Sequence, residues 1–269
     1  MTTITAKVIK DSIYNGHRLT TLELHYPRII LAELNTHRQL SKSTSSSRAI
    51  PVEKIIQNVK DDPYIPIKWG MNERGMSSSK EAVYMDKLRA ENYWLEAMRS
   101  SIKQAENLIT IGIHKQFANR ILEPWSHVNT IISGTEWDNF FKLRISDNAQ
   151  PEMRKLAEEI KSAMDNSSPE EKRLTNDISD KWHIPYITDE EVDLPLETKL
   201  KVSVARCARV SYKSNTSGKL STISEDTELF DRLYSNGHWS PFEHIALPTM
   251  ETNTANFVGW KQYRKFLES

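Results

Sequence analysis

The first part of the chain changes from an alternating pattern to a helical one. Residues 18–25 place apolar and polar side chains alternately, after an Asn15-Gly16 pair that is typical of a tight turn. Pro27 can occupy the first position of a helix, and the next apolar residues recur at helical spacing: Ile30, Leu31 and Leu34. The pattern predicts a strand and then a helix that ends near His37.

Further along the chain, apolar residues recur at spacings of three and four, which predicts amphipathic or buried helices. These segments are 91–109, 137–143, a helix that starts at 148–151 and has its last apolar residue at Met164, and 200–210. Residues 165–181 are polar and rich in charge, so we expect an exposed insertion near 165–195. Many helices with few strands predict an α+β fold in a single domain, residues 1–269.

Composition excludes several classes of protein. With 269 residues, 38% of them hydrophobic, and a mean hydropathy of −0.59, the chain is too apolar to be disordered. Lysine plus arginine (36) balances aspartate plus glutamate (36), so the overall charge does not favour nucleic acid as a partner. The single cysteine, Cys207, excludes an internal disulfide. With neither a signal peptide nor an apolar membrane span visible, we expect a soluble cytoplasmic protein.

Familiar nucleotide and metal motifs are missing. The sequence contains no G-x-G-x-x-G, no G-x-x-x-x-G-K-[ST] and no H-E-x-x-H. His238 and His244 are six residues apart, a spacing that zinc can use, but a third ligand is not nearby. We therefore expect hydrogen-bonding histidines and no metal.

Three constellations carry candidate chemistry. Residues 36–48 place two arginines around a run of hydroxyl side chains, which suits phosphate oxygens, although a flexible serine loop would have the same composition. Arg144 lies among apolar neighbours and needs a partner if buried; a salt bridge to Asp147 or Glu152 is the structural alternative. In 238–244, Ser240 and Glu243 could bind a polar ligand or simply cap a loop.

Together these segments resemble the flavin-dependent thymidylate synthases, whose motif is R-H-R-x-x-S-x-N-E-x-S-x-R-Y. The matching residues are His37, Arg38, Ser41, Ser46 and Arg48. The departures are Thr36 (family Arg), Ser43 and Thr44 (family Asn-Glu) and Ala49 (family Tyr). Other family elements resemble Asn119–Pro124, Leu143–Gln150, Ala208–Tyr212 and His238–His244, the last matching H-x-[ST]-P-F-E-H.

The order of these elements differs from the family order. In the family, H-x-[ST]-P-F-E-H precedes the arginine–serine motif, whereas here it follows the motif by some 200 residues. Residues 17–38 and 257–264 resemble overlapping parts of one family stretch. We interpret this as a circular permutation with partly duplicated ends, which predicts neighbouring termini and terminal strands adjacent in one sheet.

The resemblance implies three groups of site residues. Arg144 is the catalytic residue, since the matching family arginine stabilises negative charge on the pyrimidine ring. The substrate-binding residues are Glu33, Ser46, Arg48, Arg120 and Arg144. The cofactor-binding residues are His37, Arg38, Asn139, Asn148, Ser211, Ser240 and Glu243, with Asn148 standing where the family often has histidine.

The resemblance also implies an activity. FAD and NADPH would support transfer of a one-carbon unit from methylenetetrahydrofolate to C5 of dUMP, giving dTMP, in a homotetramer with shared active sites. Two alternatives stay open: a methylase or hydroxymethylase of dUMP or dCMP on the same scaffold, and a flavin- or nucleotide-binding protein without catalysis. The family uses no protein nucleophile, so Cys207 is expected to be a small buried residue.

Overall fold

The Asn15-Gly16 turn joins two long antiparallel strands, β1 (Thr5–Tyr14) and β2 (His17–Pro27). Asn15 and Gly16 both have positive φ, 47° and 80°, a backbone conformation that these two residue types adopt readily in tight hairpins. The structure, a computed structural model, describes residues 2–173, 181–210, 221–252 and 254–268.

Three more strands complete a five-stranded mixed sheet. They are β3 (Ser41–Thr44), β4 (His127–Gly134) and β5 (Glu170–Glu171). The strand order is β3-β4-β2-β1-β5, with β5 parallel to β1 and every other pair antiparallel. Ser41 of β3 lies opposite Ser133 of β4, and Thr44 lies opposite Thr130. The edge strand β3 therefore presents the serine-rich motif along one side of the sheet.

Helices pack on both faces of this sheet. In chain order they are α1 (Leu31–Asn35), α2 (Val52–Asp61), α3 (Tyr84–Thr110), α4 (Lys115–Ala118), α5 (Asp138–Arg144), α6 (Pro151–Asp165), α7 (Leu196–Arg209), α8 (Ile223–Ser235) and α9 (Arg264–Leu267). Short 3₁₀ turns include Ser47–Ala49, Asn119–Trp125 and Ser240–His244. Within the described ranges, no helix is long and apolar enough to cross a membrane.

Two hydrophobic cores cover the two faces. On one face, Leu22 and Ile132 pack against Leu156 and Ile160 of α6, whose first position is the predicted Pro151. On the other face, the β4 residue next to Ile132 packs against α7, α8 and the 3₁₀ turn, in a cluster that includes Ile131, Val204, Cys207, Phe230 and Phe242. Successive β4 residues point to opposite faces because side chains alternate along a strand.

The C-terminal residues form a second, two-stranded sheet from β6 (Ala246–Pro248) and β7 (Trp260–Gln262). This hairpin is fixed to the first one, because Trp260 Nε1 donates a hydrogen bond to the His17 carbonyl at 3.0 Å. Gly259 has φ +75°, and a Cβ there would lie 2.7–2.9 Å from atoms of the His17 side chain. Glycine is therefore required at this close approach.

The structure confirms the predicted α+β class, and its main sheet is mixed, with helices packed against it. The predicted strand is β2, and the predicted helices correspond to α1, α3, α5, α6 and α7. α3 begins at Tyr84 rather than near 91, since its first turns carry exposed side chains such as Leu88 and no buried stripe marks them. Cys207 is fully buried, as expected.

Part of the predicted exposed insertion lies in the core instead. Trp182, His183 and Ile184 are buried, and His183 pairs with Ala246 of β6 through two backbone hydrogen bonds of 2.9 and 3.2 Å. A polar, charge-rich stretch at 165–181 precedes this short buried segment, so composition alone predicted that the whole region is exposed. Only the remainder of 165–195 can be an exposed excursion, and residues 174–180 lie outside the described part of the chain.

The predicted pairing of terminal strands is wrong. β1 lies in the five-stranded sheet, whereas β7 pairs with β6. Thr2 exchanges hydrogen bonds with Ile65 beyond the start of β1, while Trp260 contacts His17 at the opposite end of that strand. The C-terminal segment packs beside the β1–β2 turn instead of extending its sheet, and the permuted connectivity stays a hypothesis.

Candidate functional site

Arg144, the last residue of α5, is held at the entrance to a cavity by residues of the chain that precedes β3. Its Nε donates to Nε2 of His37 at 2.8 Å, Nη1 forms an ion pair with Glu33, and Nη2 lies 3.4 Å from Thr36 Oγ1. Neither expected salt-bridge partner contacts Arg144, since Asp147 pairs with Arg154 and Glu152 accepts a hydrogen bond from Tyr64; the carboxylate partner is Glu33 instead. Three predicted site residues, Glu33, His37 and Arg144, thus meet.

His37 is kept in its neutral form. Burial, followed by the charges of Arg144 and Lys42, lowers the pKa of His37 to about 4. A neutral imidazole has one nitrogen lone pair, which here accepts the Nε–H of Arg144. The His37 ring also packs edge-on against Phe140, with ring centroids 4.9 Å apart. Both contacts fix the direction of the guanidinium.

The cavity beside Arg144 has a volume of about 300 Å³. The residues that line it are Thr36, His37, Arg38, Gln39, Leu40, Glu136, Asn139, Phe140, Leu143 and Arg144. Arg38 and Asn139 are exposed, and Arg38 makes no ion pair with any described residue. Its free guanidinium is suited to an anionic group of a bound molecule.

Ser46, Arg48 and Arg120 lie beyond the other end of β3. Arg48 belongs to the 3₁₀ turn after the strand, is exposed, and makes no ion pair with the described residues. Arg120 pairs with Glu123 at 3.2 Å, and Ser47 donates to the same carboxylate at 2.8 Å. Four strand residues span roughly 13 Å. This group and Arg144 therefore lie beyond opposite ends of the strand.

The H-x-S-P-F-E-H element packs directly against β3. Ser240 Oγ lies 3.2 Å from Ser43 Oγ, and His244 Nε2 lies 2.9 Å from the same oxygen. Glu243 forms an ion pair of 2.7 Å with Arg264. The element is some 200 residues from the serine motif along the chain, yet it adjoins the motif in the fold, as the resemblance requires.

One expected cofactor contact, Asn148, does not line this cavity. Asn148 is exposed in the turn between α5 and α6, outside the residues that line the cavity. Ser211 falls outside the described residues.

Sequence reasoning underrated Ser43 and Lys42. Ser43 counted only as a departure from the family asparagine, but its hydroxyl joins the two motifs. Lys42 Nζ donates to the carbonyls of His37 and Leu40, and burial lowers its pKa to about 8. The alternation of β3 was the available signal, since it places Ser41 and Ser43 on one face.

Among the described residues, one group has metal-like spacing: His25, Asp62 and His127, whose candidate ligand atoms lie within 4.8 Å of one another. The two imidazoles are stacked, with an interplanar angle of 14° and centroids 4.9 Å apart. An ion bound to both nitrogens would have to lie near both ring planes, which parallel rings do not permit.

His244 is hydrogen-bonded to Ser133 and Ser43, as expected for a hydrogen-bonding histidine.

The residues at this cavity offer some of the groups that the FAD implied by the resemblance would need. A flavin dinucleotide carries a pyrophosphate, and Arg38 offers it an unpaired guanidinium. Its ring system needs hydrogen-bonding groups, which Asn139 and Ser240 present as exposed side chains. The residues fit such a molecule in part. A cavity of about 300 Å³ encloses only a portion of a dinucleotide, so the rest requires further surface.

Comparison with known proteins agrees with this picture. A family model described as thymidylate synthase complementing protein matches residues 13–170, more than half of the chain. No curated protein matches the chain by sequence. The fold resembles two structures of the UMP/dUMP methylase PolB from Streptomyces cacaoi. The complex with 5-Br dUMP has a TM-score of 0.50 at 14% identity, covering 61% of this chain and 90% of that chain. The complex with 5-Br UMP has a TM-score of 0.52 at 15% identity, covering 61% and 89%.

At such identities the likeness to PolB concerns the fold alone, so the family match carries the assignment. The matched range contains Glu33, His37, Arg48 and Arg144, whereas Ser240 lies outside it and joins the site only through folding. The chain belongs to the thymidylate synthase complementing protein family, the flavin-dependent thymidylate synthases and related pyrimidine nucleotide methyltransferases.

Proposed function

We propose that this protein transfers a one-carbon unit from methylenetetrahydrofolate to C5 of dUMP and produces dTMP, with FAD as cofactor and NADPH as reductant. The observation that carries the proposal is the arrangement of Arg144, which Glu33 and His37 orient toward a cavity rather than bury. A guanidinium with unused N–H groups can stabilise charge that develops on a ligand.

Arg144 would act on the pyrimidine ring. Its Nε and Nη1 are engaged, and Nη2 has only a long contact with Thr36, so this nitrogen can turn toward a carbonyl oxygen of the base. Negative charge that builds up on the ring during addition to C5 would be stabilised there. His37, neutral at physiological pH, keeps the guanidinium in place without competing for that charge.

The substrate phosphate would bind at the other end of β3. Ser46 lies just before the 3₁₀ turn that follows β3, and Arg48 lies within this turn. Arg48 is exposed, so all of its guanidinium N–H groups are available. Arg120 would join them, with Glu123 limiting the direction of its side chain. The backbone N–H groups of Ser47 and Arg48, at the start of the 3₁₀ turn, would add donors for anionic oxygens, whereas the Ala49 N–H already donates to the Ser46 carbonyl.

FAD, when bound, supplies the redox chemistry of this reductive methylation. His37, Arg38 and Asn139 would contact it at the cavity, and Ser240 and Glu243 would contact it from the C-terminal element. Ser211 and Asn148 are assigned to FAD by resemblance alone.

We further propose a homotetramer in which two chains complete each site. Arg144 and Arg48 lie beyond opposite ends of β3, and the cavity is smaller than a dinucleotide. A second copy could supply the phosphate-binding group that the first copy lacks near Arg144. Full FAD binding by a protein that sediments as a monomer at micromolar concentration would contradict this assembly.

A related methylase or hydroxymethylase activity, on UMP or dCMP, is the second candidate. The departures at Thr36 and Thr44 favour it, since both replace charged family residues with hydroxyls. Thr36 contacts Arg144, and Thr44 is hydrogen-bonded to Thr130 at 3.0 Å, so both are already engaged within the chain. Recognition of the sugar or of the base edge can differ as a result.

Product mass decides between these activities. Purified protein would be incubated with FAD, NADPH and methylenetetrahydrofolate, and with dUMP, UMP or dCMP in separate reactions. We expect dUMP to gain the mass of a methyl group in place of hydrogen. Gain of a hydroxymethyl group, or reaction with UMP or dCMP only, would select the second candidate. Absence of any product, with bound FAD present, would favour a protein without catalysis.

A further inference from the structure

A continuous chain of hydrogen bonds runs through the sheet and ends at Ser240. Its members are five hydroxyls and two imidazoles, in the order Ser12, His183, Thr21, Ser133, His244, Ser43 and Ser240. The successive donor–acceptor distances are 2.9, 2.8, 2.6, 2.9, 2.9 and 3.2 Å. The first five residues are buried, Ser43 is half-buried, and Ser240 is exposed.

Both imidazoles in this hydrogen-bond chain, His183 and His244, are neutral. Burial lowers the pKa of His244 to about 3. Burial, followed by the charges of Lys10, Lys172 and His244, lowers the pKa of His183 well below its ordinary value. Each ring therefore donates through one nitrogen and accepts through the other. Each hydroxyl has one proton to donate and lone pairs to accept with.

An inner hydroxyl that accepted from both neighbours would leave its own proton without a partner in this hydrogen-bond chain. When every inner hydroxyl donates to a neighbour, the direction of one hydrogen bond fixes the direction of the others. In one arrangement, Ser12 donates to His183 and every later member donates toward Ser240, which leaves the Ser240 proton free for a ligand. In the other, Ser240 donates to Ser43, and only its lone pairs face outward. The hydrogen bonds in such a chain polarise one another, so the Ser240 hydroxyl at its end is a stronger donor than the hydroxyl of an isolated serine.

We propose that His183, Thr21, Ser133, His244 and Ser43 are positioning residues that orient the Ser240 hydroxyl as a hydrogen-bond donor to the bound flavin nucleotide. The inference deepens the proposed function and rests on it. Phosphate and carbonyl oxygens of a flavin nucleotide accept hydrogen bonds and cannot donate them, so binding selects the arrangement that runs from Ser12 to Ser240. Ser43, where the family has asparagine, is the link that carries this orientation across β3.

A purely structural role would be to satisfy buried polar groups, and two neighbouring threonines separate the two explanations. Thr20 and Thr21 are consecutive in β2 and equally buried. Thr20 donates to Asp11 Oδ1 at 3.0 Å and is not a member of the hydrogen-bond chain, whereas Thr21 joins Ser133 to His183. Valine has nearly the shape of threonine, so either substitution removes one buried hydroxyl from the same strand.

The test is a titration of apo protein with FAD, followed by flavin fluorescence, for wild type, Thr21→Val, Thr20→Val and Thr21→Ser. We expect Thr21→Val to weaken FAD binding about 3- to 10-fold, the range of one net hydrogen bond. Thr20→Val should bind like wild type, and Thr21→Ser, which restores the hydroxyl, should recover the affinity. If Thr21→Val does not fold, Ser133→Ala breaks the next link and should give the same loss.

A double substitution tests the route through Ser240. In a Ser240→Ala background, Thr21→Val should cause no further loss of FAD affinity, because the donor that it orients is gone. An equal additional loss in that background, an equal loss in Thr20→Val, or wild-type affinity in Thr21→Val would each overturn the inference while the proposed function stands. Wild-type protein that binds no FAD would overturn the proposed function, and the inference with it.

Discussion

Two arginines of this protein, Arg206 and Arg144, are both paired with carboxylates, but they differ in how many of their N–H groups are used. Arg206 donates to Asp226, to both carboxylate oxygens of Glu191 and to the Tyr186 carbonyl, at 2.6–3.0 Å. Its side chain is 4% exposed. Arg144 has one carboxylate partner, Glu33, one imidazole partner and a long contact, and is 19% exposed.

The difference shows what distinguishes a structural arginine from one available to a ligand. A guanidinium has five N–H groups, and Arg206 spends nearly all of them inside the protein. Arg144 is oriented by its partners but keeps donor capacity that faces a cavity. Partial pairing combined with an open side is therefore more informative than the presence of an ion pair.

The largest expected effect concerns Arg206. Arg206→Met should lower the free energy of unfolding by about 3 kcal/mol, because Glu191 loses its arginine partner and the fully buried Asp226 keeps only Arg209. Thermal and urea unfolding measure this change. Arg154→Met, which removes more exposed ion pairs with Asp147 and Glu158, should change the free energy of unfolding far less, because solvent screens these pairs. Equal losses of unfolding free energy in the two variants would contradict a structural role that is specific to Arg206.

Arg144→Ala should lower kcat about 100-fold or more, the range found for donors that stabilise developing charge. Its melting temperature should stay close to that of wild type, because the half-buried Glu33 can be solvated when its partner is removed. Steady-state kinetics and a melting curve on the same preparation check both points. Normal folding with unchanged kcat would remove the catalytic role of Arg144.

Arg48→Ala should raise KM for the nucleotide about 10-fold and change kcat less, since a phosphate contact acts alike in ground and transition states. Stability should not change, because Arg48 is exposed and makes no ion pair within the described residues. Arg89→Ala, an exposed arginine of α3, serves as the control for charge. A fall in kcat with unchanged KM would assign Arg48 a different role.

The smallest effect is a pH dependence of stability at the Arg206 cluster. The hydrogen bond from Arg206 lowers the pKa of Glu191 to about 2. A depressed carboxyl pKa stabilises the fold above the ordinary value near 4.5, and this contribution disappears as the pH falls toward 2. The melting-temperature difference between wild type and Glu191→Gln should therefore be largest at pH 7 and shrink by pH 3. A difference that stays constant over this range would contradict the assignment.

Local sequence patterns predicted the elements that carry the site better than they predicted the partners of each side chain. The alternation in β2 and the spacing in α6 follow from burial of one face, and both were recovered. The motif residues His37 and Arg144 could also be identified from the sequence. Their meeting, however, bridges 107 positions along the chain, and short-range periodicity contains no information about it.

The same reason explains what the sequence did not reveal. Arg120 looks like a free cation until Glu123, three residues away, pairs with it. Trp182 and His183 look like part of a polar excursion because their contacts come from other segments: Tyr263 for the tryptophan, and Ser12 and Thr21 for the histidine. Burial of a short segment depends on the whole fold, whereas composition reports only its neighbours in sequence.

The attachment of the C-terminal segment to β3 has a consequence for biosynthesis. Gln262 donates a hydrogen bond to Ser41, a partner 221 positions earlier, and His244 reaches Ser43 across 201 positions. At about 5–20 residues per second, a ribosome needs roughly 10–40 s to pass from the serine motif to these partners. During that interval the edge strand is made but its C-terminal contacts are not, so β3 needs protection from unwanted strand pairing in the nascent chain.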